Sequence, residues 1–303
     1  MTNDLTIIPV HSDSIIVNSV YNGKKRVSDS LLTILIYLCA FISIFILVGI
    51  MGYVFVRGVP QLSVTFLTTV PSTIKGTFGI LGNIVNTLYV VTITLVIATP
   101  LGVGSAIYLN EYAKGGKVVR IIEFTTEILS GIPSIIFGLF GYVFFGITLG
   151  FGYSILTGAL TLSIMVLPLI TRTTQEALKT VPESYRSGAL GIGATKWYMI
   201  RTILLPSAMP GIVTGIILAI GRIVGESAAL LFTAGSGYIL PRSFLGKIFE
   251  SGGTLTIQLY LCMQKAKYDE AFGIAVVLLI IVLAINGLAK YLSHKFNTEA
   301  KES

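Results

Sequence analysis

Across 303 residues, 53% are hydrophobic and only 12% are charged, with a mean hydropathy of +0.86; a soluble domain carries about a quarter charged residues, so water is not the main solvent for this chain. The formal net charge of +7 is spread over short polar segments between apolar runs, which excludes nucleic-acid recognition by one basic face. Two cysteines, Cys39 and Cys262, and two histidines, His11 and His294, supply neither a disulfide framework nor a zinc site.

A membrane-crossing helix needs about 20 mainly apolar residues. Stretches free of Asp, Glu, Lys and Arg run from Ser30 to Val56, Gly76 to Asn110, Ile128 to Thr171, Thr202 to Gly221 and Ala271 to Ala289. The third holds two crossings, separated by a turn at Gly146 to Gly152. The pattern predicts an all-α polytopic protein with six helices near 31–56, 80–108, 125–147, 153–171, 207–232 and 271–292. Residues 1–29 are expected to be a flexible N-terminal segment, 30–295 the transmembrane domain and 296–303 a polar tail. The first apolar run is too long for a signal peptide and lacks a cleavage site, so it is expected to stay as an anchor. An even number of crossings puts both termini on one side. That side holds 14 Lys and Arg against six on the other, so the positive-inside bias predicts cytoplasmic termini in a cell membrane. The two long loops are then cytoplasmic (172–206) and external (233–270), and loops of that length usually carry function.

Along the second helix, Asn83, Asn86 and Thr87 stand at helical spacings that suit interhelical hydrogen bonds. Glu123 and Glu127 are expected at the start of the third helix, where its dipole favours acids. Gly131 and Pro133 interrupt that helix, leaving Ser130 and Ser134 either to line a pathway or simply to flank a kink. In the loop 172–206, Thr180 and Glu183 have capping-box spacing, Pro182 suits a first turn, and Gly191 and Gly193 offer exits with positive φ. A second short helix from Thr195 towards Pro206 would complete a docking element. In the fifth helix, Arg222 and Glu226 lie four apart on one predicted face, where they can pair. They form either a structural ion pair or part of an anion path, since the Arg fork matches phosphate oxygens. The chain has no Gly-x-x-x-x-Gly-Lys-Ser/Thr phosphate loop, so it is expected not to hydrolyse ATP itself and to be no enzyme.

The cytoplasmic loop resembles the signature of permease subunits of ABC importers: Glu-Ala-Ala, three residues, Gly, nine residues, Ile, one residue, Leu-Pro. Ala189, Gly193, Ile203, Leu205 and Pro206 fall at matching spacing, while Ser187 and Gly188 stand where the family has Glu and Ala. The resemblance implies that these residues couple to the ATPase, with Trp197 packing in that contact or anchoring at the interface. The segments Gly79 to Leu88, Ala106 to Ala113, Leu129 to Phe140, Ala219 to Ala228 and Leu255 to Tyr260 look like the PstA-type phosphate permease. That likeness implies the type I importer permease fold and makes Arg222 and Glu226, with Ser130 and Ser134, the pathway candidates. It also implies a homologous second permease (PstC type), ATPase subunits (PstB type) carrying ATP and magnesium, an extracytoplasmic phosphate-binding protein (PstS type) and a membrane lipid surround. No cofactor is expected in this chain. Two rivals remain: a permease for another oxyanion such as sulfate or molybdate, and a stand-alone ion-coupled transporter.

Overall fold

The computed structural model describes residues 27–72, 76–113, 115–241 and 243–302. Most of the N-terminal segment expected to be flexible, with His11, lies outside them. Among the described residues all regular structure is helical, apart from one isolated antiparallel bridge between Ser72 and Thr77.

Two compact units divide at Gly52 and Tyr53. The first is built on helix α1 (Val27–Gly58). Its large side chains stay exposed on every side from Leu31 to Ile50, and a helix apolar all round suits hydrocarbon.

The second unit contains α2 (Leu81–Tyr112), α3 (Lys117–Gly131), α4 (Ser134–Thr148), α5 (Ile155–Lys179), α6 (Glu183–Gly191), α7 (Lys196–Gly225), α8 (Ala228–Thr233), α9 (Phe244–Ile248), α10 (Leu255–Gln264) and α11 (Tyr268–Glu302). With α1, five helices among the described residues are long and apolar enough to cross a membrane, and α3 with α4 makes a sixth if the bent pair is one crossing. Helix α5 is the axis, with 67% of its most apolar window buried. Its Leu162, Val166 and Ile170 pack with Val90 and Ala98 of α2 and with Ala219 and Ile223 of α7. The backbones approach closely because Gly102 of α2 lies over Ile170, and Gly215 of α7 over Thr173; a Cβ at either glycine would overlap its neighbour. Small residues at such crossings let van der Waals packing replace the hydrophobic driving force that lipid cannot supply.

Four expectations need correction. The predicted helix 125–147 begins at Lys117 and turns by 106° between Gly131 and Ser134. Pro133 cannot donate to the ladder, and it holds Ile132 extended at φ −72°, ψ 131°. Glu123 and Glu127 therefore sit in the body of α3, beyond its first turn. Helix α5 runs past 171 to Lys179, where Thr180 closes it, so Thr180 does not cap the next helix. Helix α6 starts at Glu183 after Pro182 instead. The second docking helix starts as expected, with Thr195 Oγ1 accepting from Tyr198 N at 3.3 Å. It then runs unbroken through Pro206 to Gly225, easing past the proline with a wider π turn at Ile200–Leu204. Lastly, the predicted helix 207–232 breaks after Gly225, with Glu226 extended (φ −79°, ψ 125°). At the other terminus, α11 stays helical through residues 296–302, expected as a tail.

Candidate functional site

A cavity of about 440 Å³ opens between α3 and the C-terminal half of α5. Glu123, Thr126, Glu127 and Ser130 line it from α3, and Arg172, Gln175, Glu176 and Lys179 from α5. Both sets repeat at three and four residues, one face of each helix. Arg222 of α7 completes the wall. Arg172 and Glu176 form an exposed pair at 3.5 Å, an arrangement that contributes little to stability. The guanidinium of Arg222 is exposed and makes no ion pair among the described residues.

The expected Arg222–Glu226 pair is absent, because the helix break takes Glu226 off the face of Arg222. Its Oε1 instead accepts from Ala229 N at 3.1 Å at the start of α8, satisfying a donor that a helix terminus leaves open. Its carbonyl accepts from Thr256 Oγ1 at 2.9 Å. Ser130 Oγ, on the cavity wall, donates to the carbonyl of Glu127 at 2.7 Å. Ser134 lies beyond the bend, at the start of α4, and is not part of that wall.

The C-terminal end of α5 carries the loop with the signature spacing. Ala189 is buried with Leu178, Met199 and Leu204, and Ile203 and Leu205 pack against the same cluster, beside half-buried Pro206. Gly193 leaves the loop helix at φ +85°, a conformation that suits glycine. Ser187 and Gly188 are exposed, and Ser187 Oγ donates within its own helix to the carbonyls of Glu183 (3.2 Å) and Ser184 (3.3 Å). Tyr185, Leu190, Trp197 and Tyr198 are also exposed, and Ile192 is 87% so. Arg186 turns the other way, onto Glu111 at the end of α2. Sequence reasoning missed that contact.

The N-terminal end of α5 meets the loop 233–270. Asn83 Nδ2 donates to Gly253 O at 2.9 Å, and Asn86 Nδ2 to Gly237 O at 2.9 Å and Gly253 O at 3.2 Å. Leu255 N donates to Thr87 Oγ1 at 3.0 Å. These side chains hold loop backbone and not, as expected, another membrane helix. Gly82 lets the carbonyl of Tyr238 come close. Lys247 is fully buried here, 3.4 Å from both Glu250 Oε2 and Ser251 O.

Residues 98–298 match the model of the family described as binding-protein-dependent transport system inner membrane component. The chain is 38% identical over 284 residues to the probable ABC transporter permease protein YqgI of Bacillus subtilis, covering 89% of this chain and 96% of that protein. It is 31% identical over 272 residues to phosphate transport system permease protein PstA 1 of Mycobacterium tuberculosis, covering 87% and 88%. A chain of a bacterial alginate ABC transporter, solved with its alginate pentasaccharide-bound periplasmic protein, shares the fold at a TM-score of 0.66 and 17% identity, over 90% of this chain and 99% of that one.

Proposed function

The chain belongs to the family of inner membrane components of binding-protein-dependent transport systems, and from that premise we propose that it is the PstA-type subunit of a phosphate importer. It is a membrane-embedded permease subunit of an ABC importer, and the cargo named for its PstA relatives is phosphate. A PstC-type permease supplies the other half of the pathway. PstB-type ATPase subunits hold ATP and magnesium against the loop 172–206, on the cytoplasmic side with both termini. A PstS-type binding protein delivers the anion above the loop 233–270. Exposed Tyr185, Leu190, Ile192, Trp197 and Tyr198 form the face that enters the ATPase groove, and Ser187 takes no ionic part in it.

Arg222 carries this reading. A charge within a membrane helix costs at least about 2.5 kcal/mol on insertion scales, yet this guanidinium stands exposed on a cavity wall with no carboxylate partner among the described residues. A planar fork in that position suits two oxygens of one phosphate. Rigid-body movement between two access states would open the cavity to each side in turn.

The test is ATP hydrolysis and uptake in vesicles holding this chain with its companion permease, ATPase and binding protein. Phosphate should stimulate hydrolysis where sulfate and molybdate do not. Arg222→Ala should lower phosphate uptake by at least about tenfold, the loss of one charge-assisted interaction, with the complex intact. Stimulation by sulfate alone would move the cargo to another oxyanion. Unchanged uptake by Arg222→Ala would take Arg222 off the path.

A further inference from the structure

We propose that the Arg186–Glu111 ion pair is the strut that carries movement of the loop helix α6 into the membrane helices α2 and α5, which makes both positioning residues for transport. The proposal rests on the coupling of this family to an ATPase and not on the choice of cargo.

Helix α6 spans only Glu183–Gly191, between a proline and a glycine turn. Nothing in so short a segment prevents it from swivelling at those joints when a partner pushes on it. Arg186 removes that freedom. Its Nε and Nη2 donate to Glu111 Oε1 at 3.3 and 3.1 Å, and Nη2 also donates to Leu178 O at 2.9 Å. Nη1 donates to Val181 O at 2.9 Å and to Glu183 Oε2 at 3.3 Å. All five N–H donors of the guanidinium are thereby engaged, on the end of α2, the end of α5 and α6 itself.

The pair is enclosed, with side-chain exposures of 14% for Arg186 and 4% for Glu111. Asn110 Nδ2 donates to the same carboxylate oxygen at 2.7 Å. The far side of the loop is fastened to the same place: Lys196 Nζ, at the start of α7, donates to the carbonyl of Glu111 and lies 4.9 Å from the ring centre of Tyr112. Both sides of the loop thus converge on residues 111 and 112, where α2 ends in a wide π turn. Outward, the loop presents apolar Tyr185, Leu190 and Ile192. Inward, it presents a cation with two donors, Nε and Nη2, on the one oxygen Oε1 of Glu111. Force received on the first face has a stiff, directional route through the second. Lysine could not reproduce it, because an ammonium is a point charge on a flexible stem.

A static buttress would use the same contacts, so the test reads movement. Thr126, on the cavity wall, is replaced by Cys in a chain carrying Cys39→Ser and Cys262→Ala, and its maleimide labelling is timed in the purified complex with and without ATP and vanadate. With the native pair, nucleotide trapping should slow labelling by at least about tenfold. Glu111→Gln, which keeps an acceptor oxygen, and Arg186→Lys should retain the ATPase subunit yet lose most of that slowing. The exchange Glu111→Arg with Arg186→Glu should restore it. Native slowing in both single variants, with the ATPase bound, overturns the proposal. So does a loss that follows ATPase dissociation and that the exchange does not rescue, which leaves only a buttress.

Discussion

At its C-terminal end α2 is fastened to the loop helix α6 by charge, through Glu111 and Arg186, whereas at its N-terminal end its neutral amides, Asn83 and Asn86, grip loop carbonyls. The first fastening leaves an apolar face of the loop outside, at Leu190 and Ile192. The second draws the loop in, burying Thr254, Leu255 and Lys247. A neutral hydrogen bond contributes about 1 kcal/mol net and is made and broken at modest cost. An enclosed ion pair resists separation, because either partner left alone is an uncompensated charge. One end is therefore built to stay joined while its outer face meets a partner, and the other to hold a loop by bonds that can be exchanged.

The largest effect expected from disturbing this contrast is at Arg186. Arg186→Ala should cost about 3 kcal/mol, read as a lower melting midpoint of the purified protein in detergent, and adding Glu111→Ala should return part of the loss. An additive double variant would show that charge is not what fastens this end. Asn86→Ala should cost about 2 kcal/mol, since it takes this donor from the carbonyl of Gly237 and leaves that of Gly253 to Asn83 alone, and it should speed amide hydrogen exchange in residues 234–254. Gly82→Ala should cost about 1 kcal/mol by driving the Tyr238 backbone away, with faster exchange confined to the same loop. Ser187→Ala and Ile192→Ser should each stay within about 0.5 kcal/mol of the native melting free energy. Only Ile192→Ser should weaken ATPase association, by about tenfold as for a central apolar contact, measured by titrating the ATPase subunit.

Length and apolarity made the membrane helices legible, and Gly131 with Pro133 marked the bend between α3 and α4 before any coordinates. The cavity wall was also written in the sequence, as Glu123, Thr126, Glu127 and Ser130 at helical spacing and the same rhythm from Arg172 to Lys179. It was masked by assigning the acids to a helix start and the cations to a loop. The Arg222–Glu226 pair failed because spacing implies a shared face only while the helix continues. Gly225 ends it, and the Glu226 carboxylate finds a donor at Ala229 instead. Glu111 could not have been found locally, since Arg186 lies 75 residues away in the chain. The grip of Asn83 and Asn86 on glycine carbonyls left no pattern either, because a carbonyl acceptor has no residue signature.

The cavity wall mixes signs: Arg172, Lys179 and Arg222 face it together with Glu123, Glu127 and Glu176. On the proposed anion path, a wall so balanced would offer the passing anion a shallow well, and a shallow well means a short dwell time. A conduit must attract its cargo enough to admit it and weakly enough to release it. High affinity belongs to a scavenger that waits in dilute surroundings, and a passage of this kind is better suited to turnover than to storage.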